Sequence, residues 1–150
     1  GAVAFLQKKL NLDADGISDL LNKKSGVLGI TELSSDMREV EAACEKGDPK
    51  AILSMKMYNY RIKKYIGAYA AAMGGVDIIV FTAGVGENQW STRQEACEGL
   101  EFLGVKIDKE LNKGLRGVEK VISTADSKVT VCIIPTDEEL MIATDTMELL

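Results

Sequence analysis

Asp77-Ile-Ile-Val-Phe81 is a short, nearly continuous apolar run set between Gly74-Gly75 and the turn Thr82-Ala-Gly-Val-Gly-Glu-Asn88. A run of this length without polar alternation is the pattern of a strand buried on both faces. It predicts the central strand of a sheet, then a loop from Thr82 to Trp90, then a helix reaching about Leu103 with Ser91 and Gln94 at capping-box spacing. A strand that leads through a glycine turn into a helix belongs to an α/β fold, and open sheets of that kind take ligands at the carboxyl ends of their strands.

The flanking sequence supplies the rest of the frame. Residues 2–10 and 16–24 read as two short helices, and Gly26 and Gly29 bracket a short loop. A helix starts near Ser35 or Asp36 and stops at Lys46-Gly47, with Val40, Ala43 and Cys44 as its buried stripe. Asp48-Pro49 then opens a long helix, because Asp caps and Pro loses nothing at the first helical position. Ile52, Met55, Tyr58, Ile62, Ile66, Tyr69 and Met73 recur along it at three- and four-residue steps, which predicts a core-facing stripe packed on one face of the sheet. Beyond the glycine turn the pattern gives a short segment at Val105–Ile107, a helix from Asp108 to about Leu115, strands near Val118–Ser123 and Val129–Ile134, and a final helix. In that last helix Thr136 and Glu139 have capping-box spacing, and Leu140, Met141, Ala143, Met147 and Leu150 form the apolar side.

Composition narrows the function classes. With 46% hydrophobic and 27% charged residues, the 150-residue chain has the make-up of an ordinary globular domain. Its net charge of -5 offers no whole-molecule positive field for nucleic acid. There is no histidine, which excludes a histidine base, a His-containing triad and a His-bearing zinc site within this chain. Cys44, Cys97 and Cys132 are odd in number and unpaired by motif, as in a reduced, cytoplasmic protein. No apolar run approaches the roughly 20 residues of a membrane span, and no signal peptide opens the chain, so neither membrane nor nucleic acid is an expected partner. Gly1 leads directly into Ala2-Val3-Ala4-Phe5-Leu6, as expected of a segment from a longer reading frame.

Three places have residue types suited to chemistry. In Gly84-Val85-Gly86-Glu87-Asn88 two glycines remove side chains, so backbone can approach a ring or a sugar and adopt positive φ. The plainer reading is that they serve only the geometry of the turn. No Gly-Lys-Ser/Thr follows, and Gln89 stands where a third glycine would complete a dinucleotide fingerprint. Glu87 would repel phosphate, which favours the nucleoside end of a nucleotide. Asp36-Met37-Arg38 offers a carboxylate for ribose hydroxyls and a guanidinium for a base or anion, or simply an N-cap and a solvated side chain. Pro135-Thr-Asp-Glu-Glu139 puts three acids in a first helical turn, where they complement the dipole; Glu138 is also able to hold Mg²⁺, directly or through water.

Taken together, Ser25-Gly-Val-Leu-Gly-Ile30, Ser34-Ser-Asp-Met-Arg38, Phe81-Thr-Ala-Gly-Val-Gly-Glu-Asn88 and Ile134-Pro-Thr-Asp-Glu-Glu-Leu-Met-Ile-Ala143 resemble the acetate kinase family in order and approximate spacing. Propionate kinases are similar in the same blocks. The resemblance implies an actin-like ATPase (ribonuclease H-like) fold, in which a central sheet with flanking helices, one of them long, takes ATP and Mg²⁺ and phosphorylates acetate to acetyl phosphate. It implies that residues 1–150 are part of the second, C-terminal nucleotide-binding domain, with the N-terminal domain and the start of the second domain upstream. Asp36, Met37, Arg38, Gly84, Val85, Gly86, Glu87 and Asn88 would then contact ATP or ADP, and Glu138 the metal. Val85 stands for a commoner isoleucine and Thr144 for a frequent arginine.

The same resemblance places the magnesium-linked asparagine, the catalytic aspartate, the transition-state histidine and arginines and a further phosphate loop upstream of this segment. No catalytic residue is therefore expected here, and the segment alone is expected to be inactive. Homodimers are expected from the family, and a non-catalytic nucleotide-binding or interaction module is the alternative. All of this requires the glycine turn, the Asp36 turn and the start of the final helix to share one cleft.

Overall fold

The structure, a computed structural model, describes residues 1–149 and divides into two compact units, Gly1–Tyr58 and Asn59 onward. In the first unit, helix α1 (Ala2–Leu10) ends where Asn11 turns left-handed at φ 51°. Helix α2 (Ala14–Lys23) begins two residues before its predicted start. Asp13 is the reason, since its carboxylate accepts the Gly16 amide at 2.7 Å and acts as the N-cap.

The loop expected around Gly26 and Gly29 is instead helix α3 (Gly26–Thr31). Gly29 is needed there for close approach, since a Cβ would lie 3.2 Å from the Lys24 carbonyl oxygen. Its helix penalty of about 1 kcal/mol is offset by packing of the turn, with Val27 set against the unit's core. Asp36 caps helix α4 (Met37–Glu45), and Asp48 accepts the Ala51 amide at 2.8 Å to start helix α5 (Pro49–Met73). Val40, Ala51 and Met55 form the core of this unit, with Ala43 and Cys44 against them as the stripe required.

The division into units falls inside α5. In the second unit, Ile62 and Ile66 pack against the core built on the sheet, which is the placement foreseen for the long helix. Tyr69 and Met73 depart from the expected stripe, being 62% and 67% exposed. After Ile62 and Ile66 the next buried position is Ala70, four residues on, and Tyr69 instead stacks on Tyr65 with ring centroids 6.1 Å apart.

The sheet has the order β1 (Ile78–Phe81), β3 (Thr130–Ile133), β2 (Lys120–Val121), with β1 parallel and β2 antiparallel to β3. Among the described residues the central strand is therefore β3 and β1 lies at an edge, contrary to expectation. Ile79 and Phe81 point into the core, whereas Ile78 and Val80 are 58% and 46% exposed. Side chains alternate along a strand, and the described residues cover only one face of this one.

Between β1 and β3 run helices α6 (Ala83–Asn88), α7 (Trp90–Cys97) and α8 (Lys109–Asn112), with a 3₁₀ turn at Glu101–Leu103. The predicted loop 82–90 is thus mostly helical, because Gly86 permits the chain to coil directly against the end of β1. Helix α7 starts at Trp90 without a side-chain cap from Ser91, and it stops short of Leu103 because Gly99 goes left-handed at φ 82°. Ile122, Val131 and Ile133 are fully buried, and Cys97 among them has its thiol pushed up to about 12 by burial. No disulfide joins the three cysteines.

Helix α9 (Glu138–Glu148) closes the described chain; Leu150 of its expected apolar side lies outside the described residues. No residue of α9 is buried. Among the described residues no helix is long and apolar enough to cross a membrane.

Candidate functional site

The carboxyl end of β1 delivers the chain into α6 through one costly residue. Ala83 has φ 57°, a left-handed conformation that costs a side-chain-bearing residue roughly 1–2 kcal/mol. The two glycines that follow have different causes. A Cβ on Gly86 would come within 3.1 Å of the Phe81 carbonyl carbon, so glycine lets the helix fold back on the strand without displacing its backbone. A Cβ on Gly84 would meet nothing within 4 Å, and Gly84 does not have positive φ. The plainer, geometric reading holds for Gly86. For Gly84 neither packing nor backbone conformation accounts for the missing side chain, which leaves an open stretch of backbone at a strand's carboxyl end.

What holds α6 in place was not foreseen. Arg93, on α7, is 0% exposed and donates to the carbonyls of Gly86 at 2.8 Å, Glu87 at 3.0 Å and Leu115 at 2.8 Å, and to Asn112 Oδ1 at 2.8 Å. Asn112, itself fully buried, returns a bond to the Trp90 carbonyl at 2.9 Å. Burial pushes Arg93 down to about 10, still far above neutral, so a guanidinium cation sits under the C-terminal end of α6 where carbonyls converge. Nothing local in Ser91-Thr92-Arg93-Gln94 marks this arginine as internal, because its four partners come from residues 86, 87, 112 and 115.

On α6, Asn88 donates to the Gly84 carbonyl at 2.9 Å, and Val85 is half-buried. Glu87 Oε1 accepts the Thr136 amide at 2.9 Å and the Thr136 hydroxyl at 3.1 Å. The amide donor, chiefly, holds the Glu87 carboxyl below its ordinary range. This bond overturns the expected Thr136–Glu139 capping box. Thr136 is engaged with Glu87, and the cap of α9 is Asp137, which accepts the Leu140 amide at 3.0 Å. The glycine turn and the start of α9 are thereby brought together within the second unit.

Glu138 is exposed at the first position of α9. Among the described residues no group of three or more acids or cysteines is arranged to hold a metal ion. A single exposed carboxylate fits Mg²⁺ as one hard oxygen donor among waters and phosphate oxygens, the usual manner in which that ion binds nucleotide enzymes.

Asp36, Met37 and Arg38 belong to the first unit. Asp36 accepts the Arg38 amide at 2.9 Å as the cap of α4 and pairs with the Arg38 guanidinium at 2.6 Å. That guanidinium pulls Asp36 down to about 2 and is itself raised in return. Met37 packs against the unit's core. The capping role weighed for Asp36 is therefore real, and Arg38 is exposed but not unpartnered.

Comparison with known proteins agrees with these motifs. The model of the acetokinase family matches residues 1–144. The chain is 69% identical over all of its 150 residues to the acetate kinase of Phocaeicola vulgatus, of which it spans 37%. A crystal structure of Porphyromonas gingivalis acetate kinase superposes with a TM-score of 0.93 at 59% identity, over 99% of this chain and 37% of that one. A propionate kinase from Francisella tularensis gives 0.83 at 35% identity, over 95% of this chain and 36% of that one. The fold is accordingly that of the actin-like ATPases to which acetate kinases belong. With the glycine turn, the Asp36 turn and the Pro135–Glu139 start of α9 all inside the matched span, this chain belongs to the acetokinase family.

Proposed function

We propose that this chain works as the later part of the second domain of an acetate kinase, which transfers phosphate between ATP and acetate to give ADP and acetyl phosphate. In this reading Gly84, Val85, Gly86, Glu87 and Asn88 of the second unit border the nucleotide; for Asp36, Met37 and Arg38 of the first unit the same role rests on the family resemblance alone. Glu138 would hold Mg²⁺, which when bound neutralises charge on the phosphate oxygens. The observation that carries the reading is Gly84, whose missing side chain serves neither packing nor backbone conformation and so leaves backbone free for a flat ligand. No group of this chain is assigned to the chemical step, so its contribution is to bind and orient. The cytoplasm and a homodimer follow from the family resemblance.

The test is a graft. Replacing the aligned 150 residues of the Phocaeicola vulgatus enzyme by this chain should retain acetate-dependent ADP formation, with Mg²⁺ required. A soluble, folded graft that binds neither ATP nor ADP would sink the proposal.

A further inference from the structure

Glu87 lies within the proposed nucleotide turn, yet its carboxylate is already engaged, accepting both the amide and the hydroxyl of Thr136. A carboxylate so placed is a poor contact for phosphate, which it would repel. Its backbone is anchored from the other side by Arg93, through the carbonyls of Gly86 and Glu87, and Arg93 is in turn braced by Asn112. Asn112 and Arg93 therefore hold the Glu87 backbone while the Glu87 carboxylate holds Thr136, two residues before Glu138. The connection between β3 and α9 has a second tie, the Ile134 amide donating to the Phe81 carbonyl at 3.0 Å. Helix α9 buries none of its own residues, so among the described residues packing does little to set where it starts. The bonds of residues 134–137 must do so.

From this geometry we propose that Glu87 is a positioning residue, whose carboxylate ties Thr136 to the glycine turn and so sets where Glu138 stands relative to a nucleotide held by that turn. The inference rests on the assignment of Gly84–Asn88 to nucleotide and of Glu138 to the metal. It assigns the side chain of Glu87 to the protein and leaves to its backbone any contact with nucleotide.

The grafted full-length enzyme tests this with Mn²⁺ as probe, read by electron paramagnetic resonance on the enzyme–ADP complex, and with metal-free ADP affinity read by calorimetry. Removing a group that orients a metal ligand commonly costs 10- to 100-fold in metal affinity, so Glu87→Ala should weaken Mn²⁺ binding at least about tenfold while metal-free ADP affinity falls by much less. Thr136→Val, which deletes only the hydroxyl, should weaken Mn²⁺ binding less, and Thr136→Ser should restore it. The Glu87→Ala/Thr136→Val double variant should be no worse than Glu87→Ala alone, because the two groups act through one contact. A loss of metal-free ADP affinity equal to the Mn²⁺ effect would make Glu87 a nucleotide contact and overturn the proposal; so would additive effects of the two substitutions. Glu138→Gln separates the layers. If it leaves Mn²⁺ binding intact, the metal assignment itself fails; if it weakens binding while Glu87→Ala does not, only the positioning role fails.

Discussion

Gly84 and Gly86 have the same side chain and opposite constraints, and that contrast is directly measurable. Gly86→Ala forces a Cβ to within 3.1 Å of the Phe81 backbone and should destabilise the chain by about 1–3 kcal/mol, the usual cost of overpacking. Gly84→Ala meets open space in the first turn of α6 and should stabilise by about 0.5–1 kcal/mol through reduced freedom of the unfolded chain. The same Gly84→Ala change in the grafted enzyme should weaken ATP binding, since the methyl occupies surface left open for a ligand. Urea titration and calorimetry read the two effects separately. Arg93→Met is the corresponding test of the buried cation. It keeps much of the volume but strands acceptors at Gly86, Glu87, Leu115 and Asn112, and a loss of about 3 kcal/mol or more is expected in urea. A loss below about 1 kcal/mol would mean that water replaces the guanidinium without difficulty.

Helices α4 and α9 both begin at an aspartate that accepts a backbone amide, but they stand differently in the molecule. Asp36 is held at about 2 by Arg38, below the 3.8 of an unperturbed aspartate, so the folded state favours its ionised form. Its contribution to stability is therefore complete above about 4 and is lost as pH falls towards 2. The melting temperature of Asp36→Asn should lie below that of the unaltered chain at pH 6, and the two should converge near pH 2. A difference that persists at pH 2 would show that the pairing with Arg38 is not its source. Helix α9 has a good cap and no buried face. Helical stability comes mostly from packing, so amides of α9 should exchange with solvent orders of magnitude faster than those of β3, whose Val131 and Ile133 are fully buried. Hydrogen exchange read by mass spectrometry decides this, and equal protection would mean that α9 is held by more than residues 134–137.

Each unit of the chain has its own apolar centre, around Val40, Ala51 and Met55 in one and around the sheet in the other. The chain spans 37–38% of the length of its acetate kinase relatives, and it has no histidine. Phosphoryl transfer depends on several positioned charges acting together, and under the proposed function the groups of this chain contribute binding and orientation. The 150-residue chain by itself is therefore expected to form no acetyl phosphate; acetate-dependent ADP release by the purified chain in a coupled assay would contradict this.

Much of this molecule could be read along the chain, because caps, breakers and apolar periods act over a few residues. Asp36 before α4, Asp48-Pro49 before α5 and the apolar run of β1 all announce themselves locally, and so do the blocks that place the chain in its family. What escaped reading depends on contacts between distant segments. That β1 is an edge follows from its pairing with β3, some fifty residues on, and from cover on one face alone. That Thr136 bonds Glu87 rather than completing a box with Glu139 follows from the turn after β1 lying against the turn after β3. Arg93 looks like any surface arginine until residues 86, 112 and 115 close around it. Local preferences are set by covalent neighbours, whereas a hydrogen bond between residues 87 and 136 exists only once the intervening chain has packed.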